Sequence, residues 1–177
     1  MEKSKTRTVQ ILAVMRILAW VAFFGLCIEA GAIVISYGVS CVNPEGAKNL
    51  YNGLNLYELR QFNFWHYTLT VSFMVALSLM KAYVSFLVVK ALSKINMANP
   101  FKVEEAQTLE KISYYIFATW FVAMLSNAHV GWLLKRTGEL QSNWVSGEFI
   151  FLAGVVFIIS QIFKRGIEIQ SENELTV

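Results

Sequence analysis

Residues 17–39 read ILAWVAFFGLCIEAGAIVISYGV, an apolar run broken by one charge, Glu29. At 1.5 Å of helix per residue, a run of this length spans a hydrocarbon core of ~30 Å. Three further apolar runs follow, at about Trp65 to Leu92, Ile112 to Leu134 and Phe149 to Phe163. The last becomes a full span when its helix begins at Val145 or Gly147. Barrel strands alternate in polarity over ~10 residues, and these runs do not, so the spans are predicted as helices.

Composition agrees. The chain has 177 residues, of which 56% are apolar and 15% charged, against about 25% charged in soluble domains. Mean hydropathy is +0.50. A soluble domain this small needs more polar groups than these to cover its surface. A soluble enzyme, a disordered regulator and a disulfide scaffold are therefore excluded. The predicted fold class is all-α, an integral membrane four-helix bundle with both termini cytoplasmic. It forms one domain over residues 1–177 without internal repeats. The predicted segments are an inner basic tail (1–16), span 1 (17–39), an outer loop (40–64) and span 2 (65–92). An inner loop with a helix start (93–111), span 3 (112–134), an outer loop (135–146), span 4 (147–165) and an inner acidic tail (166–177) complete the chain.

Ala30-Gly31-Ala32 imitates a leader cleavage site behind a basic start. The apolar run continues through Ile33, Val34 and Ile35, so the segment is expected to stay in the membrane. A lipoprotein reading of Cys27 fails because bulky Leu26 precedes it.

Orientation follows the positive-inside rule. With both termini inside, Lys3, Lys5, Arg7, Arg16, Lys90, Lys94, Lys102, Lys111, Lys164 and Arg165 lie on the inner side. Only Lys48, Arg60, Lys135 and Arg136 lie outside, and Lys81 falls within a span. The net charge of +3 is thus a topology signal, and no direct nucleic-acid partner is expected.

The outer loop 40–64 carries turn signals at Asn43-Pro44 and Asn52-Gly53 among Tyr51, Leu54, Tyr57, Leu59, Phe62 and Phe64. It reads as a short helix lying in the membrane interface, or alternatively as a lid or ligand surface. In the inner loop, Asn99 suits an N-cap, Pro100 the first helical position, and Phe101 follows. The third helix is predicted to start near Pro100, with Glu104 and Glu105 in its first turns. Gly166 suits the end of the fourth helix, behind Lys164 and Arg165.

Chemistry-bearing residues are few. All twelve acids are glutamates; the histidines are His66 and His129, and the cysteines Cys27 and Cys41. That excludes EF-hand, Walker, HExxH and CxxC motifs. No nucleophile and base can be paired, so no catalytic residue, metal centre or cofactor is expected, and the protein is not expected to be an enzyme. The remaining candidates are ionisable groups inside the bilayer, each costing at least ~2.5 kcal/mol at its centre. Glu29 and Lys81 fall near the midplane of adjacent helices, with Asn127 and His129 on the third. Three readings stand: a structural Glu29–Lys81 pair that fixes register, a polar ligand or ion site, or no contact, with Glu29 protonated. Transport through so sparse an interior would require a homo-oligomer.

The inner Asn99-Pro100-Phe101 and the ending Lys164-Arg165-Gly166-Ile167-Glu168-Ile169-Gln170-Ser171-Glu172-Asn173-Glu174-Leu175-Thr176-Val177 resemble the bacterial domain-of-unknown-function family 2975. Members often end in Glu-Asn-Asp-Leu-Thr followed by Val or Ile, so Glu174 is a charge-preserving departure. The resemblance implies a multi-pass protein of the bacterial inner membrane, with the lipid bilayer as its first partner. It also implies a gene neighbour, a small helix-turn-helix regulator, that the membrane component restrains or informs. On that reading Glu168, Glu172, Asn173, Glu174, Leu175, Thr176 and Val177 form a tail that binds this regulator or another cytoplasmic protein. The alternative clamp would dock the tail on Lys94 and Lys102 of the same chain.

Overall fold

A computed structural model describes residues 2–94, 103–137 and 148–174, with side chains described within 9–93, 103–135 and 153–169. Among the described residues every regular element is helical and none is a strand. The elements are α1 (Glu2–Val42), α2 (Tyr57–Phe62), α3 (Phe64–Lys94), α4 (Val103–Thr137) and α5 (Glu148–Glu174), with a 3-10 turn at Pro44–Asn49.

Three stretches are long and apolar enough to cross a membrane: Val9–Val42, Phe64–Ser93 and Val103–Lys135. In α1 the most apolar window has 0% of its residues buried. Val21, Ile28 and Ile35 are 64%, 70% and 70% exposed. Water penalises an apolar face of this extent, and hydrocarbon does not.

Two boundaries differ from the sequence reading. Helix α1 begins at Glu2 instead of residue 17, because the basic tail carries no Gly or Pro to stop a helix. Helix α5 runs through Gly166 to Glu174. A single interior glycine costs about 1 kcal/mol, and the Arg165–Glu168 pair, 2.7 Å apart at i,i+3, bridges it. The predicted cap at Asn99, Pro100 and Phe101 lies outside the described residues. Within them α4 starts at Val103 with Glu104 and Glu105 in its first turn.

The contacts divide the chain into two units. The terminal unit comprises Met1–Phe23, Tyr83–Ala118 and Gly147–Val177. Its core is Leu87, Ile112, Ile116 and Ala153, flanked by half-buried Val84, Leu109 and Val156. Aromatic contacts add to it: Trp20, Phe23 and Phe86 sit 5.6–6.5 Å apart, and Tyr83 meets Tyr115 edge-on at 4.6 Å.

The central unit comprises Phe24–Ala82 and Thr119–Ser146. Its core joins Ile33 of α1, Tyr67, Val71 and Met74 of α3 and Leu133 of α4 to Ala47, Leu50, Leu56 and Leu59 of the connecting loop. The loop therefore packs into the fold, and it contains a short helix, α2, as the sequence reading expected. Its path is set by local chemistry. Asn43 Oδ1 accepts from the Glu45 amide at 3.1 Å, starting the 3-10 turn. Asn52 (φ 48°) and Gly53 (φ 80°) adopt the paired left-handed conformation of a tight turn that Asn and Gly tolerate. A Cβ on Gly46 would meet the Ser40 amide nitrogen at 3.2 Å, so the loop's approach to α1 depends on glycine. Asn63 ends α2 and caps α3, its Oδ1 accepting from the Trp65 amide at 2.8 Å and the His66 amide at 3.3 Å.

Candidate functional site

The polar side chains expected at mid-span lie in the central unit. Glu29 of α1 is half-buried, and its Oε1 accepts a hydrogen bond from Ser78 Oγ of α3 at 3.0 Å. Lys81, also half-buried, follows Ser78 by three residues, one helical turn along α3. From the sequence, Ser78 reads as a small residue for close packing and a minor polar lining of the interior. In the structure it is a partner of Glu29, and a serine three residues from an intramembrane lysine was the available signal. Asn127 is half-buried on α4.

His129 belongs to a different group. Its ring lies 5.3 Å from that of His66 and 6.3 Å from that of Phe73, with Trp132 beside both histidines. The sequence reading treated the two histidines separately. Residue 66 opens α3 and residue 129 lies near the end of α4, so an antiparallel pair of helices brings those ends together, which spacing alone does not reveal.

A groove of about 330 Å³ opens along α1 and α3, lined by Val34, Tyr37, Thr68, Val71, Ser72, Val75, Ala76 and Leu79. Its hydroxyls are internally satisfied. Thr68 Oγ1 donates to the Phe64 carbonyl at 2.9 Å, which leaves the Tyr37 hydroxyl to donate to Thr68 at 3.0 Å. By the same logic Ser40 donates to the Tyr37 carbonyl at 2.7 Å, and fully buried Tyr67 donates to Ser40 at 2.6 Å. The Tyr37 and Tyr67 rings stack 5.7 Å apart. The groove is thus a largely apolar surface whose Tyr37 and Thr68 hydroxyl protons are already donated.

Of the acidic tail, Glu168 pairs with Arg165 inside α5. Glu172, Asn173 and Glu174 continue the helix, and Leu175, Thr176 and Val177 lie outside the described residues. An ion pair joins α5 to α4, Lys164 Nζ to a Glu110 carboxylate oxygen at 2.7 Å; Lys102 and the side chain of Lys94, named in the predicted clamp, lie outside the described residues. In the loop, the Glu45 carboxylate accepts from Lys48 and holds its ammonium above the usual lysine range. That ammonium also stands 4.8 Å over the Tyr57 ring.

Comparison with known proteins is consistent with the sequence resemblance. No curated protein and no solved structure matches the chain. A family model, described as protein of unknown function (DUF2975), matches residues 7–177. With nearly the whole chain matched, from the basic start of α1 to the last residue, the protein belongs to that family.

Proposed function

We propose that the chain is a four-span protein of the bacterial inner membrane with both termini cytoplasmic. It acts as a regulatory or scaffolding component through its cytoplasmic face and catalyses no reaction. One observation carries this reading. Every described Lys and Arg assigned to the inner side falls in the terminal unit: Lys3, Lys5, Arg7, Arg16, Lys90, Lys94, Lys111, Lys164 and Arg165. Lys48, Arg60, Lys135 and Arg136 all fall in the central unit. Contacts and charges are independent measures, and they divide the chain alike. The polar ends of α1, α4 and α5 thereby belong to one unit, a composite surface on which a soluble partner can be held.

The partner favoured by the family resemblance is a small helix-turn-helix regulator, whose basic phosphate-binding face suits the acidic end of α5. Co-purification with the helix-turn-helix protein encoded beside it provides the test. Deleting residues 171–177 should abolish capture and leave insertion and melting unchanged. Capture that survives the deletion, or a truncated chain that no longer folds, overturns the proposal. Labelling of Ser171→Cys from outside intact cells would reverse the orientation.

A second reading, a binder of an apolar ligand such as a lipid chain, is favoured by the groove along α1 and α3. In both readings Glu29 and Lys81 serve to fix helix register. Glu29→Gln and Lys81→Met should each cost a few kcal/mol, and the double variant less than their sum.

A further inference from the structure

The groove along α1 and α3 is graded in polarity. Tyr37, Thr68 and Ser72 lie toward the end nearest the connecting loop, and Val75, Ala76 and Leu79 carry the groove away from that end. Thr68 and Leu79 stand about 16 Å apart along α3, at 1.5 Å of rise per residue. All six residues belong to the central unit. A concave, mainly apolar surface with a few polar groups gathered at one end has the form of a site for an amphiphile.

The placement of protons narrows the ligand. A hydroxyl has one proton to donate and two lone pairs to accept with. Thr68 Oγ1 donates to the Phe64 carbonyl at 2.9 Å, Ser72 Oγ to the Thr68 carbonyl at 2.8 Å, and the Tyr37 hydroxyl to Thr68 Oγ1 at 3.0 Å. These three groups therefore have no proton left to give, while each oxygen keeps a lone pair. A ligand headed by a carbonyl, ether or ester would set acceptor against acceptor and gain no bond there. A ligand headed by an O–H or N–H donor gains one. None of the lining residues is charged, so an ammonium would leave water without a counter-charge, a penalty that a neutral hydroxyl escapes.

We infer that the groove is a site for a lipid headed by a neutral hydroxyl, of the long-chain alcohol class. Its O–H donates among Tyr37, Thr68 and Ser72, and its chain lies along Val75, Ala76 and Leu79. The assignment rests on the second reading above, that the groove takes an apolar ligand, and adds the chemistry of the ligand's head.

The test places the full chain in phosphatidylcholine vesicles, whose head groups have no proton to donate, with dodecanol carrying a photoreactive diazirine in its chain. Illumination should label the α3 segment 68–79. Unlabelled dodecanol should displace the probe at roughly one-fifth of the bilayer mole fraction that dodecyl methyl ether or dodecylammonium requires, the effect of about one hydrogen bond. In Thr68→Val the Tyr37 proton loses its acceptor and turns to the ligand, so the ether should gain and the gap should narrow. Displacement by the ether or by dodecylammonium as readily as by dodecanol overturns the hydroxyl assignment and leaves the apolar groove standing. An unchanged gap in Thr68→Val overturns it in the same way. A 68–79 segment that takes no label overturns the assignment and the groove reading together. The competition in the unsubstituted chain decides the assignment even where Thr68→Val fails to fold.

Discussion

The central and terminal units are built by different means. The central unit closes its core with loop residues, Ala47, Leu50, Leu56 and Leu59, that reach it only through a 3-10 turn, a left-handed Asn52-Gly53 pair and a shared cap at Asn63. Its buried hydroxyls form closed donor chains. The terminal unit has a core drawn from α3, α4 and α5, with an ion pair at its edge. A core assembled from turns and caps depends on particular side chains, whereas one assembled from helix faces depends mainly on shape and apolarity. Single substitutions should therefore hurt the central unit more.

The largest expected effect is at Leu59, 2% exposed. Leu59→Ala should cost about 2–5 kcal/mol, the range for a buried Leu→Ala change. Leu87→Ala in the terminal unit should fall at the low end, because half-buried Val84, Val88 and Leu109 can relax into the gap. Equal losses in detergent melts would erase the distinction between the units.

Next come the hydroxyl chains. Ser40→Ala strands the Tyr67 hydroxyl, which is buried with Ser40 as its acceptor, and should cost about 1–3 kcal/mol. Tyr67→Phe removes the donor and leaves Ser40 bonded to the Tyr37 carbonyl, so about 1 kcal/mol is expected. The order of the two melting temperatures sharpens the comparison, and a reversed order would show that Tyr67 has another acceptor.

A smaller effect is expected at Lys164 and Glu110, whose side chains are 39% and 22% exposed. A double-mutant cycle with Lys164→Met and Glu110→Gln should return a coupling of about 0–1 kcal/mol. A coupling of several kcal/mol would mean that the terminal unit also hangs on one specific contact.

The smallest effect concerns pH. The folded state raises the Lys48 pKa through Glu45, so its stabilisation is fully present below the usual lysine value. It is lost only as pH rises through the higher folded value, beyond about pH 10. Melting temperature should lose this contribution only there, and Lys48→Met should flatten the alkaline limb without altering the curve at neutral pH.

The helical class and the apolar stretches were legible because lipid-compatible helices announce themselves by length and composition, as 17–39 does. Helix ends were less so. Nothing in the basic start forbids helix, so Glu2–Ile17 continues α1, and Gly166 is a stop signal only where the following residues do not carry the helix on. At the candidate site, Glu29 and Lys81 stood out because charge in an apolar run is rare. Ser78, His66 and Trp132 did not, since serine and aromatic residues are ordinary there and only tertiary placement gives them partners.

The continuity of α5 through Gly166 has a mechanical consequence. A flexible tether would pass tension alone, but an unbroken helix of 27 residues, about 40 Å long, also passes torque. Each residue advances the helix by about 100°, so the angular phase of the acidic end is indexed to the apolar segment that precedes it. Inserting one residue after Gly166 swings that end by roughly a quarter turn, while inserting four nearly restores its bearing at a distance about 6 Å greater. Any partner held there, as proposed above, would be sensitive to rotation of the helix as well as to its presence.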